Sequence, residues 1–582
     1  MPYLLSYTRK PIDNILYDAR LACSMHIAVS ADGVRYKALN HNSGILFGKA
    51  TENADGSLNP KALRKPYILE ADGYYEIIAL RTAGDGEADP EIDNGIKAIF
   101  EDNEEKSGES AYTPVKYTTK DFLIYSEPEV IAPDEYLKAV TKIRSQSVWS
   151  SLSETAIKGC DGIEGVIPCC VVKISEELYD RLTKKLTTPY NTGVSFPESI
   201  TVSSKEELKE YRAVSSYSDG STALRSVEWN LDGIDFSTPG DYLLSGRLRQ
   251  EHFEFPIALH RADPCMIRWN GKYLFIATND ADGNHTLYIR ESDTLKDIVS
   301  ADERLILDSD TYENIKGLLW APEFHVIGDR LYIFFACTPG EFFCEESHVM
   351  YLKKNGNPLN KKDWSKPKRV VKADGSDICE AGKEITLDMT AFEWEGKWYA
   401  VWSERQFLPK DLGAWLYIAE LNPEKPWMLA GEPKVLSKPE PGWANNHTFV
   451  DEGPFALPTE NRLYLTFSSA AVDTSYVVGL LQIEKGKDLL DRKNWRKTEY
   501  PILTSRSVPG EYGTGHNAYM TDADGTIWNT YHARPGTEAP RSSGIRRVHF
   551  DMDGEPVLDM TEDLDINPIF GIVKTRLIIR AE

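Results

Sequence analysis

The sequence has no long apolar run. No stretch of its 582 residues approaches the roughly 18 uninterrupted apolar positions of a transmembrane helix. The opening segment, MPYLLSYTRKP, lacks the apolar core and small-residue cleavage site of a signal peptide. These absences predict a soluble protein without a membrane partner and favour a cytoplasmic location. A mature secreted chain that had lost its signal peptide would show the same pattern.

Spacings typical of metal sites are also missing. The eight cysteines include no C-x-x-C pair, and no histidine cluster has zinc-finger spacing. Cys337 and Cys344 are spaced to close a small loop, but reduced, buried thiols are the simpler interpretation. We therefore expect that no cofactor is required.

The chain lacks an excess of positive charge. Its 66 Lys and Arg residues face 90 Asp and Glu residues, a formal net charge of −24. This balance argues against nucleic acid and anionic membranes as partners. It does not indicate an oligomeric state.

Helical periodicity is scarce. The best short cases are PDEYLKAVTKI, near Pro133–Ile143, and SKEELKEYRAV, near Ser204–Val214. Elsewhere Gly and Pro separate short apolar runs that are rich in aromatic residues. Because the chain is also too long for one ordinary core, we predict a mainly β protein of several domains.

Three acidic residues, Asp263, Asp388 and Glu452, stand in segments of the same build. The segments are HRADPCMIRWNGKYLFIAT, ITLDMTAFEWEGKWYAVWS and FVDEGPFALPTENRLYLTFSS. In each, an acid is followed by an apolar run, a short turn and an aromatic-rich run, which is typical of a β-hairpin. Repeated hairpins favour a β-propeller, whose inner strands bring distant residues to one axis.

Residues 258–582 contain five such hairpin starts. They are HRADPCMIRW, LLWAPEFHVIGDRLYIFFA, LDMTAFEWEGKWYAVWS, VDEGPFALPTENRLYLTFSS and GTGHNAYMTDADGTIWNTYHAR. This number predicts a five-bladed β-propeller. The tail, INPIFGIVKTRLIIR, is predicted to be a strand that closes or buttresses a domain.

Two further regions precede the propeller. Residues 1–143 are predicted to be a β-rich region of degenerate propeller-like repeats. Its segment LRKPYILEADGYYEIIALR aligns with the Asp263 hairpin, and Lys65 replaces the acid. Residues 144–257 contain SVEWNLDGIDFSTPGDYLLSGRLR, with Trp229 and a Pro-Gly turn. This segment resembles a bacterial Ig-like β-sandwich module, which usually serves as a spacer or packing domain.

The acids suit hydrolysis of a glycosidic bond. An inverting glycosidase needs a general base and a general acid about 6.5–9.5 Å apart, and a third carboxylate raises the pKa of the acid. We assign the base to Asp263, whose successor is a proline that fixes the backbone. Glu452, followed by Gly and Pro, is the acid, and Asp388 is the pKa modulator. Acids at strand starts also cap turns, so the assignment depends on their joint occurrence.

Other side chains are candidates for substrate binding. Trp320 would stack on a sugar or fill the core, and Glu323 would bind hydroxyl groups. His516, flanked by glycines, would reach the axis to contact substrate, water or an ion. His447 is a further candidate because it precedes Glu452 closely, whereas His532 is expected in the core.

The motifs A-D-P, L-L-W-A-P-E, V-D-E-G-P and Y-G-T-G-H-N-A-Y together resemble glycoside hydrolase family 43. The resemblance covers about residues 258–550 and favours the branch of exo-acting α-L-arabinofuranosidases. It implies a five-bladed propeller, inverting hydrolysis of a carbohydrate, and the same roles for Asp263, Asp388 and Glu452. Some members hold calcium near the position of His516. No acidic calcium loop is present here, so any structural calcium would be bound mostly through waters.

Two positions depart from the family pattern. Asp451 replaces the usual Asn, so its charge either raises the pKa of the acid or points away, and Thr514 replaces a frequent Pro. We expect an inverting hydrolase that releases terminal α-L-arabinofuranosyl residues from oligo- or polysaccharides. A β-xylosidase or another exo-glycosidase on the same fold is the main alternative. A non-catalytic carbohydrate-binding propeller is the other, although all three acids are present.

Overall fold

A computed structural model describes residues 1–12, 16–83, 112–146 and 159–580. Strands dominate this part of the chain, so the mainly β prediction is confirmed. The α-helices within it are Ala19–Ala22, Pro133–Gln146, Glu176–Lys185, Lys205–Leu208 and Glu562–Asp565. Short 3-10 helices span Asn40–Asn42, Asp280–Asp282, Lys296–Val299, Phe342–Cys344, Lys361–Asp363, Arg492–Asn494 and Pro568–Phe570. None of the described helices is long and apolar enough to cross a membrane.

One of the two predicted helices is confirmed, because Pro133–Gln146 is helical. The prediction near Ser204–Val214 is wrong beyond its first turn: the helix ends at Leu208, and Ala213–Tyr217 is a strand. Leu208 is the only buried residue of this short helix. Without a longer apolar face, strand pairing stabilises the rest of the segment better than a helix does.

The N-terminal region contains two four-stranded sheets and a small hairpin. In spatial order, the first sheet is Val166–Lys173, Tyr3–Arg9, His26–Ser30 and Lys37–Ala38. The second is Lys61–Ala71, Tyr74–Ala83, Tyr112–Thr119 and Glu129–Val130. The hairpin is Thr51–Glu52 with Leu58–Asn59. Because Val166–Lys173 pairs with Tyr3–Arg9, this region extends past the boundary predicted at residue 143.

Two more sheets follow. One contains Asn191–Ser195, Ala213–Tyr217 and Thr222–Arg225 in spatial order. The other contains Ser199–Val202, Ile572–Ile579, Gly240–Leu248 and Val227–Asn230. The strand predicted in the tail is therefore present, as Ile572–Ile579 in the middle of the second sheet. This pairing joins the end of the chain to residues on the far side of the boundary predicted at 258.

Five antiparallel sheets then follow one another along the chain, each with its strands in sequence order. The first is Arg261–Trp269, Lys272–Asn279, Thr286–Ser292 and Arg304–Asp308; the second is Gly317–Ile327, Arg330–Thr338, Glu346–Tyr351 and Lys368–Arg369. The third is Glu384–Trp394, Lys397–Gln406, Gly413–Glu420 and Lys434–Ser437; the fourth is Asp451–Pro458, Arg462–Ser469, Val477–Glu484 and Arg496–Lys497. The fifth is Tyr512–Thr521, Ile527–Arg534 and Ser542–Arg547, and a separate hairpin pairs His549–Phe550 with Pro556–Val557.

The first strands of these five sheets contact one another in a closed ring. Arg261–Trp269 contacts both Gly317–Ile327 and Tyr512–Thr521, and the remaining neighbours meet in the same way. Apolar clusters fill the space between each pair of adjacent sheets. The ring therefore brings the beginnings of five strands to one place, although these strands are far apart in sequence.

Candidate active site

The same backbone irregularity occurs in the first strand of all five sheets. The pairing register slips at a β-bulge, and a residue in the bulge has positive φ. These residues are Asp263 (φ 49°), Ala321 (46°), Asp388 (55°), Gly453 (54°) and His516 (51°). Bulges re-aim side chains, and such backbone conformations in residues other than glycine are concentrated at functional sites. Asp263, Asp388 and His516 thus hold equivalent positions, and Glu452 precedes the equivalent glycine.

The N-terminal strand Lys61–Ala71 carries the same bulge. Its register slips between Arg64 and Tyr67, and Lys65 has a φ of 50°. Lys65 is the residue that the sequence alignment places opposite Asp263. The bulge with a positive-φ residue is therefore repeated in the N-terminal region, with a basic residue in place of the acid.

Asp263 is almost fully buried, with 6% of its surface exposed. Its Oδ2 accepts a hydrogen bond of 2.7 Å from the Thr278 hydroxyl. Its Oδ1 lies 3.0 Å from His532 Nδ1 and 3.2 Å from Arg541 Nη1. Burial opposes ionisation of Asp263, but Arg541, His516 and His532 outweigh it and hold its pKa well below the ordinary value. Asp263 is therefore ionised throughout the neutral range.

Asp388 and Glu452 have the opposite electrostatic setting. Asp388 is buried, and its Oδ2 accepts the N–H of Gly453 at 3.0 Å. Glu452 is partly buried and accepts the Tyr476 hydroxyl at 2.7 Å. Burial raises the pKa of both carboxyls, and the negative charge of Asp263 raises both further. Because each of two close carboxylates disfavours ionisation of the other, the pair retains a proton where Asp263 has none.

His516 stands among these carboxylates. Its Nδ1 lies 3.3 Å from Asp263 Oδ1, and its backbone N–H donates to Ser468 Oγ at 2.7 Å. Burial lowers the pKa of His516, but the surrounding carboxylates, led by Asp263 and Asp388, reverse this effect and raise it. The carboxylates around His516 therefore favour its protonated form.

Gly453 is the residue that lets the Glu452 strand approach His516. An added Cβ at Gly453 would lie 3.0 Å from His516 Nδ1. Its φ of +54° is also in the left-handed region that favours glycine. Both observations explain why the bulge of the fourth sheet carries no side chain and why the acid stands one position earlier.

The remaining predicted site residues lie at different distances from this cluster. Glu323 is buried, contacts His325 Nε2 at 2.8 Å and contributes to the raised pKa of His516. Trp320 is partly exposed, and its Nε1 donates to Asn284 Oδ1 at 2.9 Å. His532 is buried, as expected, and it also contacts Asp263 directly.

His447 is engaged elsewhere, in an ion-pair bridge. Its Nε2 lies 2.8 Å from Asp18 Oδ2, and its Nδ1 lies 2.9 Å from Asp473 Oδ2. Burial lowers the pKa of His447, but Asp473 and Asp18 raise it above its ordinary value. His447 therefore ties the N-terminal region to the part of the chain that contains the five sheets.

Asp451 points away from the acid. It is fully buried, and it accepts hydrogen bonds from Ser437 (2.6 Å), Ser469 (2.7 Å) and Lys497 Nζ (2.8 Å). Neighbouring residues of a strand face opposite sides of the sheet. The structure therefore supports the interpretation that Asp451, which departs from the family pattern, points away from the acid.

Besides Thr278, sequence reasoning missed two side chains that contact the acids, Tyr476 and Arg541. Each directly precedes the third strand of its sheet, and antiparallel pairing brings that point to the end of the sheet where the bulges lie. Arg541 is held by two hydrogen bonds to Asp280, of 3.0 and 2.9 Å. The start of each third strand is thus the signal that would have located these residues.

The residues around His516 do not match a metal site. In the described parts of the chain, no group of three or more His, Cys, Asp or Glu side chains is arranged to hold an ion. The Asp263 carboxylate is already engaged by Arg541, His532 and Thr278. The possible structural calcium, which would be bound mostly through waters, is given no role in the chemistry below.

Comparison with known proteins identifies the family. Residues 253–556 match the family described as glycosyl hydrolases family 43. The chain belongs to glycosyl hydrolase family 43. The prediction of a glycoside hydrolase is thus confirmed, and the matched residues include all five sheets and every acid of the cluster.

Individual proteins similar to this family-43 enzyme include an extracellular exo-α-(1→5)-L-arabinofuranosidase from Streptomyces chartreusis. The two are 32% identical over 288 residues, which cover 49% of this chain and 84% of the relative. α-L-Arabinofuranosidase B of Pyricularia oryzae is 28% identical over 324 residues, 54% of this chain and 64% of the relative. The chain thus spans less than two thirds of the Pyricularia enzyme. The crystal structure of an α-L-arabinofuranosidase from Lactobacillus brevis has a TM-score of 0.47 at 28% identity and covers 52% of this chain and 95% of that one.

Proposed function

We propose that this family-43 enzyme is an inverting, exo-acting α-L-arabinofuranosidase. It would release terminal α-L-arabinofuranosyl residues from arabinose-containing oligo- or polysaccharides. The observation that carries the proposal is the placement of Asp263 and Glu452 at bulges beside one histidine, with Asp263 paired to the Arg541 guanidinium and Glu452 bonded to a neutral tyrosine hydroxyl. These surroundings displace the pKa values of the two acids in opposite directions. The names of the Streptomyces and Pyricularia relatives support the choice of sugar.

Asp263 is the general base in this proposal. A water molecule between Asp263 and the anomeric carbon gives a proton to the Asp263 carboxylate while its oxygen forms a bond to that carbon. The low pKa of Asp263 keeps the base ionised, and Arg541 and His532 hold its carboxylate in one orientation. Attack from the face opposite the leaving group inverts the anomeric configuration.

Glu452 is the general acid. It gives its proton to the glycosidic oxygen while the bond between this oxygen and the anomeric carbon breaks. Its partly exposed side chain is accessible to a substrate, and Tyr476 fixes the orientation of its carboxyl. Asp388 contributes by keeping a proton within the pair, and its equivalent bulge position suits contact with a sugar hydroxyl.

The same proposal extends to the architecture. The five sheets are the blades of a five-bladed β-propeller whose axis passes between the bulges, which the closed ring of first strands supports. The two sheets that contain Asn191–Ser195 and Ile572–Ile579 form an Ig-like packing module. Neither the propeller nor the Ig-like module requires a cofactor in this proposal.

Hydrolysis of two chromogenic substrates tests the proposal. Wild-type protein should cleave 4-nitrophenyl α-L-arabinofuranoside much faster than 4-nitrophenyl β-D-xylopyranoside. Glu452→Ala should lose about 10²–10⁴-fold in rate, as expected for removal of a general acid. Glu460→Ala, an exposed glutamate near the other end of the same strand, is the matched control and should keep full activity.

Other outcomes would change the assignment. Preferred cleavage of the xyloside would make the enzyme a β-xylosidase with the same mechanism. Full activity in Glu452→Ala would remove Glu452 as the acid. A folded wild-type protein that cleaves neither substrate would contradict the arabinofuranosidase proposal.

A further inference from the structure

Three phenylalanines and a leucine form an exposed apolar cluster, here termed the aromatic patch. Phe342 and Phe343 lie in the connection between the second and third strands of the second sheet. Phe407 and Leu408 lie in the corresponding connection of the third sheet, directly after Lys397–Gln406. Since Gln406 pairs with Glu384, at the start of the strand that carries Asp388, the aromatic patch lies at the carboxylate end of the ring.

The three rings pack edge to face. Their centroids are 5.3 Å apart for Phe342 and Phe343, 5.7 Å for Phe342 and Phe407, and 5.1 Å for Phe343 and Phe407. Nevertheless, 41% of Phe342, 45% of Phe343 and 53% of Leu408 remain exposed. Single exposed apolar residues are ordinary, but a contiguous group is typical of a binding surface.

The aromatic patch continues into the catalytic cluster through Trp320. The Phe342 and Trp320 rings are 6.1 Å apart. The next residue, Ala321, donates its N–H to Thr278 Oγ1 at 2.8 Å, and Thr278 donates to Asp263 Oδ2 at 2.7 Å. A saccharide whose terminal sugar lies at the carboxylate cluster and whose other sugars extend across Trp320 would therefore contact the aromatic patch.

The size of the aromatic patch fits a small ligand better than a protein partner. At the exposures given above, these side chains offer about 300 Å² of apolar surface, since a large aromatic residue presents about 150–250 Å². A stable protein interface needs about 800 Å² on each side. A sugar ring has an apolar face of C–H groups and a rim of hydroxyls. The rim of the patch is polar in turn, because the Arg405 guanidinium lies 4.9 Å from the centre of the Phe407 ring.

We infer that the aromatic patch is a binding site for the part of the saccharide on the leaving-group side of the scissile bond. The inference rests on the proposed exo-acting function. An exo-enzyme holds one terminal sugar at its carboxylates, so every other sugar of the substrate lies on the leaving side. Phe342, Phe343 and Phe407 stack against these sugars and select saccharides over simple glycosides.

Phe343→Ala tests the inference with two substrates. Methyl α-L-arabinofuranoside has no sugar on the leaving side, whereas α-1,5-linked arabinotriose has two. The variant should lower kcat/KM for arabinotriose about tenfold, the loss expected when an anchoring aromatic residue is truncated. It should change kcat/KM for the methyl glycoside by less than about twofold, because the catalytic groups are untouched.

Two further variants serve as controls. Phe343→Trp keeps an aromatic face and should restore most of the activity on arabinotriose. Ile569→Ala removes another exposed apolar side chain, 82% exposed, outside the five sheets and should affect neither substrate.

The outcomes separate the two proposals. If wild-type protein cleaves neither arabinoside, the proposed function fails. If it cleaves both and Phe343→Ala lowers both equally or neither, the inference about the patch is overturned and the function stands. A wild-type dimer that Phe343→Ala converts to a monomer, measured by light scattering, would identify the patch as an interface between copies and would also overturn the inference.

Discussion

Asp263 and Glu452 are both removed from water to a large extent, yet their surroundings move their pKa values in opposite directions. Asp263 faces the Arg541 guanidinium and two histidines, whereas Glu452 receives a neutral tyrosine hydroxyl and lies near other carboxylates. The acids themselves were predictable because each stands at the start of a recognisable hairpin motif. Arg541 and Tyr476 were not, because their contacts with the acids exist only once distant strands have been brought together.

Arg541→Gln should shift the acidic limb of the pH–activity profile. Arg541 is the strongest of the groups that lower the pKa of Asp263. Without its charge, Asp263 takes up a proton at higher pH, so kcat/KM should begin to fall at higher pH than in the wild type. Arg534→Gln is the matched control, because this guanidinium donates to the backbone carbonyls of Ala539 and Val472 rather than to Asp263. An unchanged acidic limb in Arg541→Gln would show that Arg541 does not set the pKa of the base.

The basic limb should report the proton held by Asp388 and Glu452. Their pKa values are raised, so activity should fall as the pH rises through these raised values. Asp388→Asn removes one of the two carboxyls, and its neutral amide no longer repels charge on Glu452. The pKa of Glu452 should then fall, and the basic limb of kcat/KM should move to lower pH. A basic limb that moves upward would contradict the role of Asp388 as pKa modulator.

Asp451→Asn should affect stability but not the acid. It leaves the Lys497 ammonium without its carboxylate in a buried site, which typically costs about 3–5 kcal/mol. Denaturant unfolding would measure this loss, and the double variant Asp451→Asn with Lys497→Met should recover part of it. Because Asp451 faces away from Glu452, the basic limb of the activity profile should stay in place. A shift of that limb in Asp451→Asn would mean that Asp451 does act on the acid.

At the scale of the strand, the repeated bulge is the feature that directs the site residues toward one another. The hairpins were predictable from alternating apolar runs and turns, and the lysine-bearing copy was visible in the alignment of Lys65 with Asp263. The bulge itself was not predictable, because it depends on the register between two strands rather than on any residue type. The same limitation explains the helix wrongly predicted near Ser204–Val214, where pairing of Ala213–Tyr217 decided the local structure.

Gly453→Ala should damage catalysis through this bulge. The new methyl group would meet the His516 ring at 3.0 Å, and the residue has positive φ. We expect at least a tenfold loss in kcat/KM and a destabilisation of about 1–3 kcal/mol, the range for a strained backbone position. Gly525 also has a positive φ, of +82°, but no neighbouring atom lies within 4 Å of the position that an added Cβ would take. Gly525→Ala is therefore the control. This control should lose stability only, and equal activity losses in both variants would argue against a specific role for Gly453.

At the scale of the whole molecule, the two halves of the chain are interlocked. Ile572–Ile579 lies between Ser199–Val202 and Gly240–Leu248, and His447 bridges to Asp18. The tail could be predicted as a strand from its alternation, but its partners could not, because nothing in a single sequence specifies which distant edge a strand joins. The two predicted boundaries, at 143 and 258, were placed from local segment patterns and therefore do not take these long-range pairings into account.

A chain that ends at Gly571 should lose the order of the module formed by residues 191–248. The second sheet of this module would lose Ile572–Ile579, the strand that joins Ser199–Val202 to Gly240–Leu248. The apolar partners of Leu577 and Ile579 would then be exposed. Hydrogen exchange across residues 191–248 should become fast, whereas a chain that ends at Arg580 should behave as the wild type. Unchanged protection in the chain that ends at Gly571 would show that the module folds without the tail strand.

The anomeric configuration of the first product tests the central claim most directly. Proton NMR of wild-type protein with 4-nitrophenyl α-L-arabinofuranoside would record the arabinose released before it mutarotates. If Asp263 activates a water molecule and Glu452 protonates the leaving oxygen, the first-formed sugar is the β-anomer. An α-anomer as the first product would mean a covalent intermediate and would contradict the assignment of Asp263 as the base.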